Sequence, residues 1–371
     1  MEATLCRMTL RIALVAPLVT QIREPQLGGS QALLADIAGG LARRGHLVKV
    51  FAASGSEIPG VRVVDTGVSA DLLAASFYRH GTQPASDGPV AAAFKRVFRL
   101  VAAERFDIVH NHAFDGPAIE AASALGSQVV HTLHLPPHQP VVEAVRRAQA
   151  GPRPPTVVGV SRQQGLAWRA HVRIDGMLRN GVPVTAIPFI PEPGRRLLFA
   201  GRFSPEKGAR TAIEIAIAGG HNIDVVGSPY DVEYSAALER DFADNPRVRF
   251  HPPLQRATLW RVMGEARAVL CPVDWEEPFG LVAAEAQAAG TPVVAFRRGA
   301  LPEVVSDSLT GFLVADAPAA VQALKRIDEI GRSSCRRHAQ DNLDLERCLD
   351  AHETLYRRLY PVPGAERAVT R

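Results

Sequence analysis

Cysteine, excess charge and long apolar runs are all scarce in this sequence, and each scarcity restricts what the protein can be. The 371 residues include four cysteines, widely separated and never in a CxxC spacing, so neither a disulfide framework nor a zinc site is predicted. A net charge of +4 is too small to be the footprint of a nucleic-acid-binding protein. The first apolar run, residues 12–19, is too short to cross a membrane. We therefore predict a soluble, cytoplasmic protein with no nucleic-acid or membrane partner.

Common motifs for nucleotide and hydrolase chemistry are missing as well. No GxGxxG opens a predicted helix, which disfavours a dehydrogenase, and neither GxSxG nor HExxH occurs. In the segment GRFSPEKG, Lys207 lacks the preceding glycine that the phosphate loop of ATPases requires. No DxD-like pair of carboxylates follows a predicted strand, so no metal site is predicted.

Short apolar runs alternate with helix-length stretches along most of the chain. Strands are predicted at residues 10–16, 47–53, 106–112, 128–134 and 155–161, and again at 196–202, 222–228, 247–253, 267–273 and 291–297. Four prolines between residues 183 and 193 predict a linker. This alternation is typical of an α/β protein, here with two Rossmann-like, doubly wound domains facing a cleft. We assign residues 8–185 to the N-terminal domain, 195–345 to the C-terminal domain, and 346–371 to a helix that packs back on the N-terminal domain and ends in a frayed tail.

Two loops after predicted strands carry residue types that suit an anion. Gly28 and Gly29 stand at a predicted helix start, where free backbone N–H groups favour an anion, although a tight turn explains them equally well. Arg202 and Lys207 place two cations beside another helix start, which is unfavourable unless an anion binds there. A solvated surface pair is the alternative for these cations.

The segment WEEPFGLVAAEAQAAG, which begins at residue 275, places two carboxylates near one another. Glu277 lies in a loop and Glu285 in the helix that follows, so that together they can accept hydrogen bonds from two hydroxyl pairs of one ligand. An ordinary exposed helix position is the alternative for Glu285, but its small apolar neighbours indicate that the carboxylate has a partner. The backbone N–H groups of the intervening turn face the predicted cleft, and they belong to Phe279, Gly280 and Leu281.

Histidines end two consecutive predicted strands of the first half. They are His110 and His112 in VHNH, and His131 and His134 in HTLH. Any one of them can be an ordinary hydrogen-bonded residue. Because the carboxyl ends of parallel strands meet at one edge, we expect all four to line the same cleft.

Taken in order, these motifs resemble the retaining nucleotide-sugar glycosyltransferases of family 4, which have the GT-B fold. The resemblance rests on LGGSQ, VHNH, HTLH, FAGRFSPEKG and EEPFGLVAAEA, and it is greatest to compact actinobacterial members, including natural-product glycosyltransferases. It implies that Glu277 contacts the donor sugar and Glu285 the ribose, while Phe279, Gly280 and Leu281 belong to the donor site.

The same resemblance assigns the remaining site residues. Arg202 and Lys207 match the basic pair that holds the diphosphate, with the amides of the loop at Gly28 and Gly29. His112 matches the family's cleft histidine, which contacts the donor sugar, and His134 is assigned to the acceptor side. The predicted catalytic set is therefore His112, Glu277, Arg202 and Lys207.

The sequence departs from the family pattern at a few positions. His251, Pro252 and Pro253 stand where many relatives have glycine, at the loop that contacts the base, so the donor can be a UDP- or a GDP-sugar. The expected activity is retaining transfer to a small-molecule acceptor, with natural-product biosynthesis as the implied setting, and without a metal or other cofactor. A nucleotide-sugar epimerase and a non-catalytic sugar-nucleotide-binding protein are the alternatives, and the oligomeric state is left open.

Overall fold

The computed structural model describes residues 9–26, 28–70 and 88–360, and within these ranges two parallel β-sheets follow one another along the chain. The strands of the first sheet are β1 (Arg11–Val15), β2 (Leu47–Ala52), β3 (Arg62–Asp65), β4 (Ile108–Asn111), β5 (Val129–Leu133), β6 (Thr156–Gly159) and β7 (Gly176–Met177). Those of the second are β8 (Leu197–Ala200), β9 (Ile223–Val226), β10 (Val248–His251), β11 (Ala268–Cys271), β12 (Val293–Phe296) and β13 (Gly311–Val314).

Helices cover the sheets. In the N-terminal half they are α1 (Gly29–Arg43), α2 (Pro89–Ala102), α3 (Gly116–Ala122), α4 (Gln139–Ala150) and α5 (Arg162–Arg169). The later ones are α6 (Ala209–Ala218), α7 (Val232–Phe242), α8 (Arg256–Glu265), α9 (Leu281–Ala288), α10 (Leu301–Val304), α11 (Ala317–Leu324), α12 (Arg332–Asn342) and α13 (Leu345–Leu359). None of the described helices is both long enough and apolar enough to span a membrane.

The order of the strands confirms the predicted fold class. The first sheet runs β3-β2-β1-β4-β5-β6-β7 and the second β10-β9-β8-β11-β12-β13. In each sheet the first three strands are added toward one edge and the later strands toward the other edge, starting beside the first strand. This is the doubly wound arrangement, and it leaves a crevice at the carboxyl ends of the strands where the order reverses.

Strand β1 shows why continuous apolar runs fold in this way. Ile12 and Leu14 pack with residues of α1 and α13, whereas Ala13 and Val15 pack with residues of α2. Because successive side chains point to opposite faces, a strand with helices on both sides buries residues on both faces, and in β1 only the first residue, Arg11, is exposed. The alternation between two cores therefore requires the unbroken run that the sequence shows.

Helix α13 returns the end of the described chain to the N-terminal sheet. Leu349 packs so closely on α1 that a Cβ atom added at Gly40 would lie 2.4 Å from it. Arg44 pairs with Glu346 and Asp350 of α13, and the hydroxyl of Tyr356 meets His110 Nδ1 at 2.7 Å. The predicted tail, residues 361–371, lies outside the described residues. The C-terminal helix thus forms part of the core of the first domain.

Candidate active site in the cleft between the domains

A cleft of about 770 Å³ lies between the two sheets and is lined by loops of both. The two halves meet at its floor, where a Cβ atom added at Gly29 would be 3.2 Å from Leu281 of the other domain. The lining includes Gly28, Gly29, His134, Arg202, Lys207, Glu277, Phe279, Gly280, Leu281 and Glu285. The structure therefore brings together every predicted site residue except His112.

Lys207 and Glu277 form an ion pair on the C-terminal side of the cleft. Lys207 Nζ donates to Glu277 Oε2 at 2.8 Å, and the indole Nε1 of Trp275 donates to the same oxygen at 2.7 Å. The lysine ammonium also lies 4.6 Å from the centre of the Trp275 ring, within cation–π range. Trp275 thus fixes both charged groups, although they are 70 residues apart in sequence.

Arg202 lies on the same side of the cleft, at the end of β8. Its guanidinium is 4.4 Å from the centre of the Tyr230 ring and donates to Glu206 at 3.3 Å. Glu206 also accepts a hydrogen bond from Ser204 at 2.7 Å. With 12 % of its side chain exposed, Arg202 is held in place instead of being solvated like an ordinary surface arginine.

Two glycines allow the tight turns that carry these groups. Gly208 has φ of +76°, and a Cβ atom there would lie 2.1 Å from the carbonyl oxygen of Pro272. Gly280 has φ of +98° and is the N-cap of α9, three residues after Glu277. Only glycine adopts these conformations without strain, so the loops that present Lys207 and Glu277 depend on them.

Two helix N-termini face the cleft without a side-chain cap. Gly28 precedes α1 and Gly280 precedes α9, and within the described part of the chain no side chain caps either first turn. Both glycines line the cleft. Uncapped N–H groups at two helix starts, together with two cations, create a site suited to a multiply charged anion.

Glu285 is buried in the first turns of α9, and its hydrogen bonds to other described side chains all go to one oxygen. Arg256 donates to Oε1 through Nε at 3.2 Å and Nη2 at 3.0 Å, and Trp260 donates to Oε1 at 3.1 Å. The sequence-based expectation that this carboxylate has a partner is therefore confirmed, with partners on α8.

The expectation that all four histidines line the cleft is wrong. Only His134 does so, while His110 and His131 are buried behind it in hydrogen bonds to Thr132 and Asn111. His112 is 1 % exposed, and its Nδ1 meets His134 Nε2 at 3.0 Å. The reason is geometric. His110 and His112 are two residues apart, so their side chains lie on the same face of the sheet, which α13 covers. Strand β4 also ends at Asn111, earlier than the motif suggests.

These histidines are neutral at pH 7. Burial lowers the pKa of His134 from 6.5 to about 4 and that of His131 to about 3, and burial together with neighbouring imidazoles lowers the pKa of His112. His352 of α13 joins the group with a pKa of about 4.

Burial also raises the pKa of the Cys271 thiol, at the end of β11, to about 12, so that it is not a thiolate nucleophile.

Mild acid is expected to destabilise the fold through this group. The unfolded chain takes up protons below pH 6.5, whereas His134 and His352 stay neutral in the folded chain down to about pH 4. The free energy of unfolding is therefore highest above pH 6.5. It decreases as the pH is lowered toward 4, by about 1.4 kcal/mol per pH unit for each such histidine. Urea unfolding at several pH values measures this slope, and His352→Gln should flatten it. The same slope in wild type and variant would contradict the assignment.

Comparison with known proteins shows that the chain matches two protein-family models. Residues 27–186 match the model described as Glycosyltransferase Family 4, and residues 185–342 match the model described as Glycosyl transferases group 1. Together the two models span both domains. The chain belongs to the family 4 glycosyltransferases.

Relatives and solved structures agree with this family. A D-inositol 3-phosphate glycosyltransferase from Saccharomonospora viridis is 28 % identical, over 94 % of this chain and 94 % of that protein. Sucrose-phosphate synthase from Thermosynechococcus elongatus has a TM-score of 0.78 at 19 % identity, covering 95 % of this chain and 99 % of that one. Anabaena HepE, solved with UDP and glucose, has a TM-score of 0.72 at 18 % identity, covering 93 % and 99 %. The solved structures share the GT-B fold.

Sequence reasoning missed several residues that hold the charged groups of this cleft in place. Trp275, Tyr230 and Arg256 all line the cleft. Trp275 contacts both Lys207 and Glu277. Tyr230 contacts Arg202, and Arg256 contacts Glu285. The aromatic residues beside each motif were the available signal, because tryptophan and tyrosine next to paired charges favour cation–π contacts. Among the described residues, no group of three or more His, Cys, Asp or Glu side chains is arranged to hold a metal ion.

Proposed function

We propose that this glycosyltransferase moves a sugar from a nucleoside diphosphate donor to a small hydroxyl-bearing acceptor, with retention at the anomeric carbon. The observation that carries the proposal is the convergence, in one cleft, of two cations, two uncapped helix N-termini and two carboxylates. A diphosphate satisfies the cations and the amides, while sugar and ribose hydroxyls satisfy the carboxylates.

The donor is proposed to bind mainly to the C-terminal half of the cleft, with one loop of the N-terminal half contributing to the diphosphate site. Arg202, Lys207 and the amides at Gly28 and Gly29 are proposed to contact the diphosphate, Glu277 the transferred sugar and Glu285 the ribose. The amides of the turn that ends at Leu281 complete the donor site. The complex of HepE with UDP and glucose supports a uridine donor here, since the two chains share their fold.

The chemistry then depends mainly on charge. The bond between the anomeric carbon and the β-phosphate oxygen breaks with its electron pair going to the diphosphate, where Arg202 and Lys207 stabilise the new charge. The acceptor hydroxyl forms its bond on the face that the diphosphate leaves, and its proton passes to a phosphate oxygen. Exclusion of water from the closed cleft limits hydrolysis of the donor.

The N-terminal half is proposed to hold the acceptor. His134, Phe114 and Leu135 line it, and burial keeps the imidazole of His134 neutral. A neutral imidazole can accept a hydrogen bond from a hydroxyl or donate one to it. The apolar neighbours suit the carbon skeleton of a small molecule. A natural-product acceptor and a cytoplasmic location stay predictions.

Transfer is expected to proceed without added metal and to preserve the anomeric configuration of the donor. The two cations and the helix amides supply the positive potential that a bridging Mg²⁺ would otherwise provide. Assays in EDTA, with the anomeric coupling of the product read by NMR, measure both properties. Activity that is lost in EDTA and restored by Mg²⁺ would overturn the phosphate site, and an inverted product would overturn the proposed stereochemistry.

His112→Ala is expected to keep nucleotide binding and to lower transfer about 10²-fold, because His112 orients the ring of His134 from behind. His131→Ala is the matched control, since it removes a buried imidazole that does not line the cleft. Equal kcat in the two variants would return His112 to a structural role.

The proposal as a whole is tested by mass spectrometry of products from a panel of nucleotide sugars and hydroxylated acceptors. A product heavier than the acceptor by one glycosyl unit is the expected result. Conversion of a nucleotide sugar to an isomer without any acceptor would favour the epimerase alternative. Tight binding with no turnover of any donor would favour the non-catalytic alternative.

A further inference from the structure

Arg256, the first residue of α8, bridges the two domains. Its guanidinium donates two parallel hydrogen bonds to Asp36 of α1, from Nη1 to Oδ1 at 2.8 Å and from Nη2 to Oδ2 at 2.7 Å. The same guanidinium donates to Glu285 Oε1 at 3.0 to 3.2 Å. Asp36 belongs to the N-terminal domain and Glu285 to the C-terminal domain, so one side chain links the carboxylates of both.

A second contact fixes Arg256 from the N-terminal side. The carboxylate of Glu24, in the loop after β1, accepts the backbone N–H of Arg256 at 2.9 Å. The guanidinium also lies 4.8 Å from the centre of the Trp260 ring, and that indole donates to Glu285. Arg256 is therefore held by main chain and side chain together.

This bridge is shielded from water. The exposed fractions of the Arg256, Asp36 and Glu285 side chains are 13 %, 15 % and 9 %. Exposed ion pairs contribute little, but a shielded pair with two parallel hydrogen bonds is stronger and geometrically specific. Removal of one partner leaves a charge that is poorly solvated, so the loss affects the geometry of the others.

The bridge also decides which oxygen of Glu285 is available. All three donors from Arg256 and Trp260 go to Oε1. An ionised carboxylate can accept on both oxygens, so Oε2 is left for a ligand in the cleft that Glu285 lines. The orientation of this carboxylate thus depends on Arg256, and that of Arg256 depends on Asp36.

We propose that Arg256 is a positioning residue that couples closure of the two domains to the orientation of Glu285. The Asp36–Arg256–Glu285 bridge, which we call the interdomain clasp, transmits the position of α1 to the carboxylate proposed to bind ribose. This inference rests on the proposed function, because it deepens the role of the donor site. Its distinctive consequence is that Asp36, which lies behind the cleft lining, affects nucleotide affinity.

Asp36→Asn tests the clasp, with UDP and GDP as probes in calorimetry. We expect the Kd of whichever nucleotide the wild type binds to rise about tenfold, within the range of typical coupling between sites. Asp36→Glu, which keeps the charge, should recover part of the affinity, and Arg256→Lys, which loses the two-bond fork, should weaken binding like Asp36→Asn. In the double variant the two losses should not add, since one bridge is removed twice.

Asp175→Asn is the matched control. Asp175 has 23 % of its side chain exposed and pairs with Arg173 at 2.8 Å, but both residues lie within the N-terminal domain, and Asp175 does not line the cleft. The substitution should lower thermal stability without changing the nucleotide Kd, because the carboxylate also accepts the backbone N–H of Val157. An Asp36→Asn protein with wild-type Kd, or an equal loss in Asp175→Asn, would overturn the clasp.

Solution scattering separates this inference from the proposed function. Without nucleotide, Asp36→Asn should have a larger radius of gyration than the wild type and Asp175→Asn, because the domains lose a contact. An unchanged radius would overturn the clasp. A wild type that binds neither nucleotide would overturn the proposed donor site and the coupling to ribose, whatever the scattering shows.

Discussion

Lys207→Ala is expected to lower kcat about 10²- to 10³-fold at saturating donor, the loss typical when one charge-stabilising donor is removed from an active site. Charge builds up on the departing diphosphate in the transition state, and Lys207 is proposed to stabilise it there. The substitution also leaves Glu277 without the ammonium that it contacts at 2.8 Å. An unpaired carboxylate then repels the leaving group, so both effects act in the same direction.

Arg210→Ala is the control for this prediction. Arg210 lies in the first turn of the following helix, pairs with Asp241 at 2.6 Å and does not line the cleft. Steady-state kinetics with varied donor should show wild-type kcat for Arg210→Ala. A Lys207→Ala enzyme with wild-type turnover at saturating donor would show that Lys207 does not contact the diphosphate.

Glu277→Gln and Glu285→Gln are expected to affect different steps, turnover in the first case and nucleotide binding in the second. Ribose is present in the free nucleotide as well as in the donor, so Glu285→Gln should weaken binding of bare nucleoside diphosphate. Glu277 is proposed to contact only the transferred sugar. Its replacement should lower kcat about 10²-fold and leave bare-nucleotide affinity unchanged or higher, because Lys207 loses a competing anion.

Calorimetry with the bare nucleotide and kinetics with the sugar nucleotide, on both variants, measure this difference. The two substitutions are matched, since each replaces a carboxylate by its isosteric amide. Equal weakening of bare-nucleotide binding by the two variants would remove the distinction between a sugar and a ribose carboxylate.

The sequence was sufficient for the central strands and for the edge strand β10, but not for the other three sheet edges. Strands such as β1 and β8 are buried on both faces, and their unbroken apolar runs are a strong signal. The pattern misses β3, β7 and β13. The first is only half-buried at a sheet edge, the second has two residues, and the third is a short edge strand. Strands β3 and β7 bury little side chain, whereas β13 is largely buried but begins with glycine, a residue that is depleted in strands.

Motifs located the charged residues of the site but not the contacts that orient them. Lys207 and Glu277 stand in recognisable loops, and the structure joins them. Arg256 stands in no motif, and its partner Asp36 is 220 residues away. A pairing of that kind depends on how the domains face one another, which local periodicity does not contain. The prediction that all four histidines line the cleft was wrong for a related reason, because their positions at strand ends do not reveal that α13 covers His110.

Binding of a nucleoside diphosphate to the cleft is the central claim, and it can be measured without knowledge of the acceptor. Wild type and Lys207→Ala are titrated by calorimetry with UDP, GDP, ADP and TDP. The account predicts that at least one nucleotide binds the wild type with one site per chain and binds Lys207→Ala at least tenfold more weakly, about 1.4 kcal/mol. Failure of all four to bind the wild type, or equal affinity in the variant, would contradict it.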